Sequence, residues 1–222
     1  MAFHMNEFGA PNFQRLGTNV LVVETAGGDR LKNQERIWRL HADSRAWKGI
    51  LESVPGMNNL TLLYDEAHFS PEELEQRLRD ALSVAEDRAV HLEPHTHILP
   101  VRYGGADGPD LAGVADAAGL TEREVIALHA ERVYVVYFLG FQPGFAYLGD
   151  LDERLRLPRR DTPRAAVPAG SVAIALHHTA VYPAASPGGW HIIGRTDARV
   201  FDVGSGRARF APGDRVRFSE NG

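Results

Sequence analysis

Cysteine is absent from this 222-residue chain. That excludes disulfides, thiol nucleophiles and Cys-ligated zinc or iron–sulfur sites. Lysine is nearly absent: Lys32 and Lys48 are the only two. A nucleotide loop of the form G-x-x-x-x-G-K-[ST] needs a lysine that reaches the β/γ-phosphates, and neither lysine follows such a loop. The C-terminal half, with no lysine, also has no place for a biotinyl-lysine or a Schiff base. No G-x-S-x-G elbow occurs, so serine chemistry of the α/β-hydrolase kind is unsupported. No apolar run approaches the ~20 residues that span a bilayer; the longest, Val133 to Gly140, is strand-sized. A net charge of −5 gives no global basic field to draw the chain to nucleic acid or anionic lipid. Met1 to Asn12 has no basic segment followed by an apolar run, so no signal peptide is expected and the cytoplasm is the expected compartment.

What remains is ordinary for a globular protein: 44% hydrophobic and 24% charged residues. The first hundred residues alternate between strand and helix patterns. Val20 to Val23 reads as a short buried strand. Lys32 to Trp47 reads as a helix, with Ile37, Leu40 and His41 on one face. Ile50 to Val54 and Leu60 to Tyr64 are strands around a Pro55-Gly56 turn. Ser70-Pro71-Glu72-Glu73 opens a second helix, with Ser70 and Glu73 as a capping box and Phe69 and Leu74 as a staple. Val90 to Val101 then finishes a β-α-β-β-α-β unit, the ferredoxin-like order.

Near Arg102 the character changes. Leu111 to Ala118 is a short helix ended by Gly119, and Thr121 to Glu124 is another capping box. Arg132 to Gly140 has apolar residues on both faces and predicts a fully buried strand. Further strands are predicted at Ala166-Val167, Ser171 to Ala175, Ala180 to Tyr182, Trp190 to Gly194, Val200 to Val203 and Arg215 to Phe218. Many short strands separated by glycine and proline suggest a closed barrel. The chain therefore reads as α+β, with a ferredoxin-like α/β domain over residues 1–98 and a β-barrel domain over 99–222.

Without lysine, arginine must handle any phosphate or carboxylate, through its planar fork. Arg159-Arg160-Asp161-Thr162-Pro163-Arg164 is the densest cationic cluster, and either a solvated loop or an anion site fits it. Phe141 to Tyr147 is either a packed barrel corner or an aromatic pocket lining. Ser186-Pro187-Gly188-Gly189-Trp190 is either a hairpin turn or a stretch where backbone N–H groups meet a ligand. His91, His95 and His97 lie close together, but no nearby carboxylate completes a metal site, so none is expected. His177 and His178 point to opposite faces. His129 ends a helix, as a terminal cation or a core residue.

One long ordered string carries a resemblance. It runs through Tyr103-Gly104-Gly105, Gly108-Pro109-Asp110-Leu111, Leu139 to Phe145, Tyr147-Leu148, Pro158-Arg159, Thr162-Pro163-Arg164 and Val167 to Val172. It continues through Tyr182-Pro183, Ser186 to Trp190, Ile193-Gly194-Arg195-Thr196 and Pro212-Gly213-Asp214. This string resembles the family of the B-type subunit of 5-oxoprolinase, also called allophanate hydrolase subunit 1. That family includes a sporulation-kinase inhibitor and half of the carboxyltransferase region of urea carboxylase. The resemblance implies a cyclophilin-like barrel and a related barrel partner, the C-type subunit of 5-oxoprolinase, with the reacting site between the two. It also implies a third, lamB-type subunit. The implied reaction is the ATP-dependent opening of 5-oxoproline to L-glutamate. A kinase-inhibitor-like binding protein and a carboxyltransferase-type subunit acting on a urea or amide substrate are the alternatives. Carried onto this chain, it puts Arg159, Arg164, Ser171 and Thr179 at the chemistry. Phe141, Pro143, Gly144, Tyr182, Gly188, Gly189, Trp190 and Arg195 fall around the substrate, and no metal is implied. Arg164 is expected to serve function more than folding, unless it pairs with an acid such as Asp161. His178-Thr179-Ala180-Val181-Tyr182-Pro183 departs from the family's Gln-Thr-Gly-Ile-Tyr-Pro, and His191 stands in place of the usual polar residue after the tryptophan.

Overall fold

The computed structural model describes residues 9–84 and 94–220. It divides into two compact units, Met1–Leu92 and Glu93–Gly222.

In the first unit, β1 (Asn12–Leu16) and β2 (Val20–Glu24) form a hairpin. Then follow α1 (Arg30–Ser44), β3 (Ile50–Gly56), β4 (Asn59–Tyr64) and α2 (Pro71–Val84). The sheet order is β1-β2-β4-β3, antiparallel throughout. Alternation puts Leu21, Val23, Leu60, Leu62 and Tyr64 on one face. There they bury against Ile37 and Leu40 of α1 and Leu74, Leu78 and Leu82 of α2. The Ser70–Glu73 capping box forms as its spacing predicts.

The ferredoxin-like closure does not. The expected last strand leaves this sheet, and the place beside β2 goes to β1. β5 (Thr96–Tyr103) instead pairs parallel with β15 (Arg215–Glu220), burying Leu99 and Val101 in the second unit. Period-two alternation fixes which face of a strand is apolar, not which sheet receives it. The division between units consequently precedes residue 98.

The second unit continues with α3 (Leu111–Ala118), α4 (Glu122–Ala130), β6 (Val133–Leu139) and β7 (Ala146–Gly149). Next come β8 (Arg164–Val167), β9 (Ser171–Ala175), β10 (His178–Val181), β11 (Ser186–Gly188) and β12 (His191–Arg195). The small pair β13 (Phe201–Asp202) and β14 (Arg207–Ala208) precedes β15. Seven strands close a barrel in the order β10-β7-β6-β15-β5-β12-β9. Its interior holds Leu99, Val101, Tyr134, Val136, Leu148, Val172, Ile174, Val181, Ile193, Val216 and Phe218, and Leu111, Val114 and Val125 of the helices pack onto it. β6 is not buried throughout: Val133 is exposed at its start. β8 and β11 pair as a separate two-stranded ribbon.

Candidate functional site

Outside the barrel wall the side chains are small. Val172, Ile174 and Val181 point inward, so Ala173, Ala175 and Ala180 point outward. These alanines leave room for Phe145, Tyr182 and Trp190, which pack over them with Val167, Ile192 and Tyr147. The rings meet edge to face: Phe145 lies 5.3 Å from Tyr182 and 5.6 Å from Trp190, and Tyr147 5.7 Å from Trp190. Such pairs add about 0.5–1.5 kcal/mol each beyond burial. Phe141 stands at the rim with 62% of its surface exposed, at a left-handed φ of 67°, and is edge-on to Phe145 at 5.3 Å. Pro143 is exposed in the same turn.

Two glycines make this packing possible. Gly144 has φ +83°, and a Cβ there would lie 2.5 Å from the Cβ of Phe201. A Cβ on Gly188 would lie 2.4 Å from the Tyr182 hydroxyl. Burial raises the Tyr182 phenol above its ordinary range, opposed by the Trp190 backbone and by the Arg159 charge.

The arginines sort themselves through a residue the sequence reading leaves outside the site. Asp110, at the start of α3, is 8% exposed and does not cap its helix. Its carboxylate instead accepts from Arg160 Nη1 at 2.8 Å, from Arg164 Nη1 at 2.8 Å and Nη2 at 2.7 Å, and from the Ile192 N–H at 2.7 Å. Burial alone would raise Asp110. The Arg164 fork, the Ile192 N–H and the Arg160 charge outweigh it and hold the group below the usual carboxylate range. Arg164 thus meets Asp110 rather than Asp161. Its fork is satisfied by protein, which makes it a tie between α3 and the β8 ribbon. Fifty-four residues separate the pair, beyond the reach of any local spacing rule; the acid was visible only as part of the Gly108-Pro109-Asp110-Leu111 string.

The segment from Pro158 to Arg164 is stitched to the barrel on its other side. Arg160 N–H donates to Gly189 O at 2.8 Å, and His191 Nε2 lies 2.8 Å from Pro158 O. Arg159, between these ties, is exposed, and among the described residues it meets no carboxylate. Its charge acts on the phenols of Tyr147 and Tyr182.

Phe141, Pro143, Gly144, Tyr182, Gly188, Gly189, Trp190 and Arg159 therefore gather on one outer wall. Ser171 and Arg195 stand opposite one another on β9 and β12, where Tyr182 N–H also donates to Ser171 O. Thr179 is elsewhere. It is fully buried inside the barrel, where its hydroxyl donates to Ala173 O at 3.2 Å and lies 2.8 Å from His129 Nε2. His178 belongs to the outer aromatic group, 5.8 Å from the Tyr147 ring. Ala180, in place of the family glycine, lies beneath these rings with no exposed surface.

No group of three or more His, Cys, Asp or Glu side chains suited to a metal occurs among the described residues. His91 lies outside them. His97 Nε2 is 3.0 Å from Asp214 Oδ2, and the His95 N–H donates to Asp214 Oδ1 at 2.9 Å. The carboxylate missing near these histidines in sequence thus arrives from β15's approach, as a structural partner.

Comparison with known proteins agrees with this architecture. Residues 11–210 match the family described as carboxyltransferase domain, subdomain C and D. The B-type subunit of 5-oxoprolinase from Escherichia coli O157:H7 is 45% identical over 206 residues, covering 91% of this chain and 93% of that one. The crystal structure of TTHA0988 superposes with a TM-score of 0.77 at 35% identity, covering 92% of this chain; this chain spans 40% of that one. Urea carboxylase of Kluyveromyces lactis shares the fold, with a TM-score of 0.76 at 19% identity over 99% of this chain and 23% of its own. No described helix is long and apolar enough to cross a membrane. By sequence match and by fold, this chain belongs to the family of B-type 5-oxoprolinase subunits, built on subdomains C and D of the carboxyltransferase domain.

Proposed function

We propose that this chain is one subunit of a cytoplasmic, ATP-dependent 5-oxoprolinase that opens 5-oxoproline to L-glutamate. In this reading it acts with a barrel partner, the C-type subunit of 5-oxoprolinase, and a third, lamB-type subunit, and its own barrel is cyclophilin-like. The observation that carries the reading is the 45% identity, over nearly the whole of both chains, to a protein named as the B-type subunit of 5-oxoprolinase. The outer wall fits the role. It joins an aromatic floor to one uncommitted guanidinium, a pairing suited to a small, ring-shaped anion.

The lactam is unstrained and resonance-stabilised, so water attacks it poorly. ATP supplies the activation that makes the carbonyl reactive. The residues here fit the nucleotide poorly: the second unit has no lysine, and the Arg164 fork and one Arg160 nitrogen are committed to Asp110. ATP is accordingly assigned to another subunit, and this chain's part is to bind and orient the lactam. Mixing the three purified subunits with ATP and 5-oxoproline should release glutamate, and this chain alone should release none. Turnover by the chain alone, or none by the assembled complex, overturns the proposal.

A further inference from the structure

Three arginines fall within six residues, and the fold gives them different work. Asp110 takes the Arg164 fork and one Arg160 nitrogen, so the donors of Arg164 are spent on protein and one of the two positive charges is offset. Arg159 lies between two ties that fix its backbone, the Pro158 O bond to His191 and the Arg160 N–H bond to Gly189 O. The residue between Gly189 and His191 is Trp190, whose ring belongs to the aromatic floor with Phe145 and Tyr147. Arg159 is therefore the cation held beside that floor with its fork unspent.

We infer that Arg159 forms a carboxylate subsite beside Tyr147, the accessible edge of the aromatic group over Tyr182 and Trp190, and that Asp110 is a positioning residue that keeps the neighbouring arginines from competing for the ligand. This rests on the proposed function for the identity of the ligand, 5-oxoproline. The inference adds which atom of the chain meets which group: the guanidinium takes the carboxylate, and the accessible side of the half-buried Tyr147 takes the ring, backed by the buried Tyr182 and Trp190. A planar fork matches a carboxylate with two parallel N–H···O bonds. An apolar floor lowers the local dielectric, which strengthens the pair. The lactam end is then left facing away from Arg159, toward groups that another subunit supplies.

The test is a binding measurement, so it does not depend on turnover. Saturation-transfer NMR on the assembled complex compares L-5-oxoproline with 2-pyrrolidinone, the same lactam without its carboxylate. The wild-type complex should bind 5-oxoproline about tenfold or more tighter, the value of one charge-assisted contact. Arg159→Gln should erase that preference and leave 2-pyrrolidinone binding unchanged. Asp110→Asn should weaken 5-oxoproline binding less than Arg159→Gln does, with a raised KM and a kcat near wild type. A wild-type complex that binds both lactams equally, or an Arg159→Gln complex that keeps the preference, overturns the subsite. In either case glutamate release by the wild-type complex still judges the proposed function separately.

Discussion

His129 Nε2 lies 2.8 Å from Thr179 Oγ1, and the neighbouring bonds give that contact one direction. The Thr179 hydroxyl hydrogen goes to Ala173 O, so Thr179 can only accept from the ring. The Nε2 atom therefore carries the proton, and Nδ1 accepts from the Tyr103 hydroxyl at 2.7 Å. The result is a dry, one-way chain from Tyr103 through His129 and Thr179 to β9. It ties α4, which carries His129 in its last turn, to the barrel interior.

Burial holds the His129 imidazole neutral, down to about 3 from an ordinary 6.5. A folded value below the unfolded one means the unfolded chain takes up the proton first as pH falls. The stability is thus complete above about 6.5 and declines below it by about 1.4 kcal/mol per pH unit until the folded group titrates near 3. Urea unfolding at pH 7.5 and 5.5 should show a wild-type loss roughly 1 kcal/mol larger than that of His129→Gln. Equal losses would place His129 in contact with water.

Thr179→Val keeps the shape but leaves the Nε2–H without an acceptor. It should cost about 1–3 kcal/mol, the desolvation penalty of one stranded donor, while Thr179→Ser costs less. Denaturant midpoints of the two variants decide it. A Thr179→Val protein as stable as wild type would mean the chain of bonds contributes nothing.

Arg164→Ala should lower stability by about 1–3 kcal/mol, more than the ~0.5 kcal/mol of an ordinary surface change. It removes two of the three guanidinium bonds that neutralise a carboxylate only 8% exposed. Lysine at this position keeps the charge and loses the fork, so Arg164→Lys should recover only part. The Asp110 contribution has the opposite pH sense from a raised group. Its folded value is depressed, so its stability is present above the unfolded carboxylate value, near 4, and fades as pH falls through the folded one. Asp110→Asn should flatten the acid limb of the stability profile below about pH 4, measured by thermal melts across that range.

These residues also show how far sequence carries. The capping boxes at Ser70 and Thr121 are local, and both formed as their spacing predicts. The apolar run from Val133 became β6 for the same reason. β1 exposes nearly every side chain, so it writes no period into its sequence and gives no strand signal there. The aromatic and glycine motifs at 141–147 and 186–190 meet on one wall through contacts that no local spacing encodes. Yet the sorting of the arginines depends on Asp110, fifty residues from the nearer of them. The motif at Thr179 suggests a donor to substrate, but β10's alternation turns it inward, and Tyr182 three residues on turns outward.

The same alternation makes Gly188 and Tyr182 a pair whose coupling can be measured. Tyr182 is 2% exposed and hemmed in by Phe145 at 5.3 Å and Phe141 at 6.4 Å. Its ring cannot swing away from a new methyl group. Gly188→Ala would bring that methyl to 2.4 Å from the hydroxyl oxygen and 3.0 Å from two ring carbons. Overpacking of this kind costs about 1–3 kcal/mol. Most of the conflict is with the hydroxyl, so Tyr182→Phe should relieve it in part. The double variant should be more stable than Gly188→Ala alone by about 1 kcal/mol, although Tyr182→Phe by itself gives no such gain. Additive effects in this cycle would mean that β11 shifts away from the ring instead. In that case Gly188 serves the backbone path of the β8–β11 ribbon rather than the seat of Tyr182.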